Sequence, residues 1–247
     1  MKIYATKKDD LYSKKMELHL NNVSKKVPLN YLVNNFAKYA KRQELTRFLV
    51  RHELFKKILN IKGSILECGV FSGNGLMSWS QLSAIYEPVA FFRKIYGFDT
   101  FGGFPSVNKK DLEGEQKLDW KKGDVKDESY SDLLNCIKLF DMNRFLPQFP
   151  KTSLIKGDFC KTGPIFLKDN PHLIIALLYL DFDLYDPTRK ALELFLPRMP
   201  KGSILAFDEI NNPHWPGETL AFLENLNIRN VRIEKFPYEP NIAYIEL

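Results

Sequence analysis

Four acidic side chains stand at the ends of two apolar runs, and this grouping is the first sign of chemistry in the sequence. Asp181 and Asp183 lie in Leu180-Asp181-Phe182-Asp183-Leu184-Tyr185, just after the run from Leu173 to Leu180; Asp208 and Glu209 follow Ser203-Ile204-Leu205-Ala206-Phe207. If the two runs are neighbouring strands, the acids meet at one rim, where their mutual repulsion calls for a cation. A hard divalent ion such as Mg²⁺ takes oxygen ligands, keeps several waters and acidifies a bound hydroxyl. The plain alternative is that these acids cap helices. His214, in Asn211-Asn212-Pro213-His214-Trp215, falls on a loop just past the cluster and is a candidate base near neutral pH. His19, His52 and His172 sit in stretches without catalytic context.

A second constellation is Glu67-Cys68-Gly69-Val70-Phe71-Ser72-Gly73-Asn74-Gly75, which follows one short apolar run and opens a helical stretch. Glycines there let the backbone approach a ligand, and the helix start offers unpaired N–H groups to an anionic end. No Lys-Ser/Thr pair follows the last glycine, so this is not a Walker loop, and the spacing departs from G-x-G-x-x-G. Glu67 and, at the end of the next run, Asp99 suit a cofactor that carries an ammonium group and a ribose, because a carboxylate accepts both ribose hydroxyls.

The elements that must position these residues alternate. Ser64 to Glu67 reads as a strand, Leu76 to Tyr86 as a helix stopped by Pro88, and Ile95 to Asp99 as a second strand. Ser153 to Asp158 is a strand edge. Leu173 to Leu180 has the continuous apolar character of a central parallel strand buried on both faces. A helix from Pro187 to Leu196 leads to the strand at Ser203. Val231 to Phe236 and Ile242 to Leu247 alternate with no helix between them, which predicts an antiparallel hairpin at the sheet edge. The fold expected is α/β, a Rossmann-like doubly wound and mostly parallel sheet with a C-terminal hairpin and N-terminal helices. Its ligands belong at the carboxyl ends of the strands.

The 247 residues are expected to divide into a basic helical extension, 1–62, and a cofactor-binding domain, 63–247, with a polar insertion or lid at about 107–128. Two amphipathic helices are expected between Leu29 and Asn60. Residues 1–62 hold 15 Lys/Arg against 5 Asp/Glu, and the remainder 21 against 25, so the net charge of +6 hides a +10 segment and a −4 segment. Such an arm meets nucleic acid, a membrane surface or an anionic small substrate, or is only a solvated helix surface. The apolar content of its helices predicts a homo-oligomer. Cys68, Cys136 and Cys160 form no C-x-x-C pair, and neither a signal-like N-terminus nor a spanning apolar run is present, so reduced thiols and a cytoplasmic location are expected.

In order along the chain, Glu67-x-Gly69-Val70-Phe71-x-Gly73, Gly97-Phe98-Asp99-Thr100-Phe101-Gly102-Gly103-Phe104-Pro105, Leu180-Asp181-Phe182-Asp183-Leu184-Tyr185-Asp186-Pro187-Thr188 and Phe207-Asp208-Glu209 resemble the macrocin O-methyltransferase family. The resemblance runs from about Ile65 to Glu224. It implies an S-adenosylmethionine-dependent enzyme that methylates a sugar hydroxyl, including those of deoxysugars on natural products, assisted by Mg²⁺; the charge of the basic arm, which could meet its phosphates, suggests a hexose on a nucleotide diphosphate as acceptor. Carried over by position, it makes Glu67, Gly69 and Ser72 contacts for the methionine end, Asp99 and Thr100 contacts at the ribose, and Asp158 and Phe159 the closure over adenine. Asp181, Asp208 and Glu209 match the metal positions, and Asp183 the general base, with His214 beside it. The family usually shows two aspartates where this chain has Asp208-Glu209. Three rivals remain at this level: an RNA methyltransferase, suggested by the isoelectric point near 9.0 but without a visible RNA-binding module; a nicotinamide-dependent oxidoreductase; and a silent scaffold. No nucleic acid or membrane partner is expected.

Overall fold

The computed structural model describes residues 6–114 and 119–247; residues 1–5 and, within the expected insertion, residues 115–118 lie outside the described residues. Helix α1 (Lys7–Ser24) starts on a capping box, in which Thr6 Oγ1 accepts from the Asp9 N–H and the Asp9 carboxylate accepts from the Thr6 N–H. α2 (Leu29–Asn34) and α3 (Phe36–Tyr39) follow, then α4 (Arg42–Lys57). The stretch expected as two helices is therefore three: the Asn35 side-chain amide donates to the Tyr31 carbonyl, and the backbone leaves helical geometry there. The chain divides into a compact unit ending at Arg47 and a second from Phe48 to Leu247, a boundary earlier than residue 62. The reason is burial: Val50, Leu54 and Phe55 of α4, and Ile58 after it, belong to the core of the second unit.

That unit alternates strands and helices. β1 (Ser64–Cys68), α5 (Asn74–Tyr86) and β2 (Ile95–Asp99) are followed by the insertion, α6 (Tyr130–Asn143), β3 (Thr152–Lys156), α7 (Phe159–Asp169), β4 (Ile175–Leu180), α8 (Tyr185–Phe195), β5 (Ile204–Phe207), α9 (Pro216–Asn225), β6 (Glu234–Phe236) and β7 (Glu239–Glu246). The seven strands form one sheet in the order β3-β2-β1-β4-β5-β7-β6. β3, β2, β1, β4 and β5 are parallel, and the C-terminal pair is antiparallel, with β7 laid between β5 and β6. The Rossmann-like reading of the sequence holds.

Strand periodicity explains why two layers of helix form. In β4, Leu177 and Tyr179 face the core with α4, α5 and α6, while Leu178 and Leu180 face the core with α7, α8 and α9. Every residue of β4 is buried, as a central strand covered on both faces requires. The order reverses between β1 and β4, so the crevice at their carboxyl ends is the topological switch point where ligands bind in open α/β sheets.

Candidate active site

At the switch point the backbone of the β1 turn and the backbone after β4 nearly touch. The Asp181 N–H donates to the Cys68 carbonyl at 2.7 Å, and a Cβ at Gly69 would lie 1.8 Å from the Asp181 oxygen, so only glycine fits there. Gly69 and Gly73 have positive φ, and Phe71 is held at φ +48. Gly73 caps α5 without a side-chain hydrogen bond, which leaves the start of that helix open beside the exposed Ser72. Asp99 locks the turn: its Oδ2 accepts the N–H groups of Val70 and Phe71 at 2.9 and 2.8 Å, and its Oδ1 accepts that of Phe101 at 2.6 Å. Its carboxylate thus holds the β1 turn together and is not a helix cap. Thr100 closes the next turn by donating to the Gly103 carbonyl at 2.6 Å.

Asp158 caps α7 by accepting from the Cys160 N–H at 3.0 Å. Phe159 is buried, its ring against Phe98, Phe182 and Phe195.

β4 and β5 are neighbours, with Leu180 opposite Phe207, so the backbones of Asp181 and Asp208 do arrive at one rim. Asp208 turns inward to accept from the Tyr179 hydroxyl at 2.7 Å, and Glu209 is engaged by the Asn212 amide. Among the described residues no three His, Cys, Asp or Glu side chains gather as a metal group. Asp183 sits in the left-handed region at φ +61, its N–H donating to Glu218 Oε1 at 3.3 Å. His214, half-buried on its loop, donates its backbone N–H to Asn212 Oδ1 at 2.9 Å.

Three buried groups at this edge escaped the sequence reading. Glu218, in the first turn of α9, accepts from the Asp183 N–H with one oxygen and from the Glu209 N–H at 3.1 Å with the other, stitching the two acid-bearing loops together. Burial pushes its carboxyl well above the usual range, and Asp183, Asp208 and Glu209 push the same way. Asp111, in the insertion, accepts from the Tyr185 N–H at 2.6 Å and the Asn108 N–H at 2.7 Å. The Asn108 amide reaches Asp186, and Gly114 packs so tightly on Pro213 that a Cβ would lie 2.2 Å from its oxygen. The described part of the insertion is therefore seated on the start of α8 and on the loop that carries His214. Arg51 of α4 lies 4.0 Å from Glu67, both nearly inaccessible. Burial pushes the Glu67 carboxyl up to about 8, with Arg51 opposing the shift. No sequence signal marked these three, because each looks like an ordinary charged residue on a helix or loop.

The fold defines the class: a Rossmann-like methyltransferase, with a glycine turn and an acid rim on one edge of the sheet. The family model described as macrocin-O-methyltransferase (TylF) matches residues 52–218, and the chain belongs to that family; it is an S-adenosylmethionine-dependent O-methyltransferase. Among solved structures, CalS11, a calicheamicin methyltransferase, is similar with a TM-score of 0.91 and 32% identity, covering 99% of this chain and 94% of its own. The apo form of CalS11, described as a TDP-rhamnose 3'-O-methyltransferase, gives 0.85 and 31%, covering 99% and 96%. The O-methyltransferase NovP shares the fold, with a TM-score of 0.64 and 19% identity over 81% of this chain and 78% of its own. No curated protein sequence matches this chain.

Proposed function

We propose that this enzyme methylates a hydroxyl of a nucleotide-linked deoxyhexose or of a glycosylated natural product. The observation that carries the reading is the shared edge: the glycine turn of β1 and the acids after β4 meet where the Gly69 and Asp181 backbones touch. The sugar acceptor is supported by the family and by the likeness, over nearly the whole chain, to an enzyme described as acting on TDP-rhamnose. The same reading places the enzyme in the cytoplasm as a homo-oligomer, acting on a small substrate rather than on nucleic acid or a membrane. No helix among the described residues is long and apolar enough to cross a membrane.

S-adenosylmethionine, when bound, supplies a methyl group on a sulfonium. Glu67, Gly69 and Ser72 are assigned to its methionine end, Asp99 and Thr100 to its ribose, and Asp158, Phe159 and Asp181 to the remainder. The open start of α5 fits that group, because it brings backbone N–H groups close to an anionic end, and the glycines of the turn let the backbone come near it. Asp183, with His214 as the alternative, takes the proton from the acceptor hydroxyl, and Asp181 orients that oxygen in line with the methyl. Asp181, Asp208 and Glu209, oxygen donors at the ends of neighbouring strands, would hold a hard divalent ion such as Mg²⁺, which would acidify the acceptor hydroxyl.

Calorimetry with S-adenosylmethionine and with NAD, with and without Mg²⁺, tests the cofactor. Binding of the methyl donor is expected, and binding of NAD alone overturns the assignment. Methyl transfer to nucleoside-diphosphate deoxyhexoses then tests the acceptor class.

A further inference from the structure

Arg51 is 4% exposed, and its guanidinium faces groups on β1 and β4. Nη2 lies 4.0 Å from Glu67 Oε1 on β1. The guanidinium carbon stands 5.4 Å from the centre of the Tyr179 ring on β4, a cation–π distance. The hydroxyl of that tyrosine donates to Asp208 Oδ1, at the end of β5, at 2.7 Å. The fit is close: a Cβ at Gly75, in the first turn of α5, would lie 1.9 Å from Glu67 Oε1 and 2.9 Å from Arg51 Nη2. Arg51 Nε and Nη1 are buried without a hydrogen-bond partner, and the Trp79 indole lies beside the Glu67 carboxyl and favours its charged form.

Buried polar atoms without partners are expensive, and a buried ion pair is seldom a route to stability. A cluster that tolerates this cost, and lies directly beneath the glycine turn and the acid rim, has the character of a functional device. Burial alone would lower the Arg51 pKa, but Tyr179, Glu67, Asp208 and Asp181 around it reverse that, so the guanidinium stays charged.

We propose that Arg51 is a positioning residue for the methyl donor, its buried guanidinium holding the Glu67 carboxylate beneath the glycine turn and linking it through Tyr179 to Asp208. The inference rests on the proposed donor site and deepens it. The donor's ammonium group needs an anion at the end of β1; burial raises the Glu67 carboxyl to about 8 and Arg51 opposes that rise, so the guanidinium together with the arriving ammonium favours the charged form. Arg51 contacts no substrate; it acts through Glu67.

The test is a double-mutant cycle read by calorimetry with S-adenosylmethionine, alongside circular dichroism and thermal melts. Arg51→Met is expected to weaken donor binding at least about tenfold, and Arg51→Lys to restore part of the loss. In a Glu67→Gln background, where no buried charge needs balancing, Arg51→Met should cost less than about twofold. The donor KM should follow the Kd, while the acceptor KM stays at the wild-type value. Should Arg51→Met fail to fold, Arg51→Lys with and without Glu67→Gln decides by the same comparison. A folded Arg51 variant with wild-type donor affinity, or one whose loss is equal in both backgrounds, overturns the inference alone. A wild-type chain that does not bind S-adenosylmethionine overturns the proposed function as well.

Discussion

The two halves of the sheet's carboxyl edge are built in different ways. On the β1–β2 side the site is mostly backbone: a turn with positive-φ glycines, an open helix start, and one carboxylate, Asp99, accepting three main-chain N–H groups. On the β4–β5 side it is mostly side chain: Asp208 on a tyrosine hydroxyl, Glu209 on an asparagine, and the buried Glu218 tying together the backbones of Asp183 and Glu209. The difference suits two tasks. In the proposed reading, the cofactor is met by main-chain geometry, while an acceptor hydroxyl is prepared by groups whose charge and direction are set locally.

If the halves divide the work this way, variants on the acid side should remove turnover and leave donor binding intact. Asp181→Ala should abolish methyl transfer, and Asp183→Asn should lower kcat by roughly 10²- to 10⁴-fold, the range for a lost general base. Donor affinity should be unchanged in calorimetry for both. A wild-type rate in Asp183→Asn moves the base to His214. Glu218→Ala, next in size, removes the acceptor of two backbone N–H groups, one buried and one half-buried, at roughly 1–3 kcal/mol each, so urea unfolding should show a loss of about 2–6 kcal/mol. Glu218→Gln, which keeps one acceptor oxygen, should recover part of it. On the donor side, Asp99→Ala should weaken S-adenosylmethionine binding by about tenfold through loosening of the turn. Equal loss of donor affinity in Asp99→Ala and Asp181→Ala would erase the distinction between the halves.

The two halves are also unequally legible in the sequence. Strands β1, β2, β4 and β5 announce themselves as apolar runs, and the glycine turn and Asp99 follow from chain order alone. Among the helices, α7 is hidden by Gly163-Pro164 inside it, and α1 buries none of its residues and so lacks an apolar stripe. On the acid side the order of the strands is readable, but the direction of the side chains is not: Asp208 and Asp181 reach one rim by backbone, yet Asp208 turns to Tyr179. Glu218, Arg51 and Asp111 act only because they are buried, and burial of a lone charged residue is set by tertiary packing that no local pattern records.

Asp111 offers the finest separation of the two sides, because it joins the insertion to the acid side through the start of α8. Burial pushes its carboxyl up to about 6, the N–H groups of Tyr185 and Asn108 resist that shift, and Asp186 adds to it. In the unfolded chain an aspartate titrates near ~3.9. Between these values the folded state binds more protons than the unfolded one, so the contribution of Asp111 to stability is full below the lower value and is lost as the pH rises through the higher one. The amide of an Asp111→Asn variant is neutral throughout and carries no such slope. The stability of the wild type relative to Asp111→Asn should therefore fall between about pH 4.5 and about pH 6.5, measured by urea unfolding at each pH. A difference for Asp111 that does not change with pH would mean that the insertion leaves this carboxylate in water rather than seated on α8.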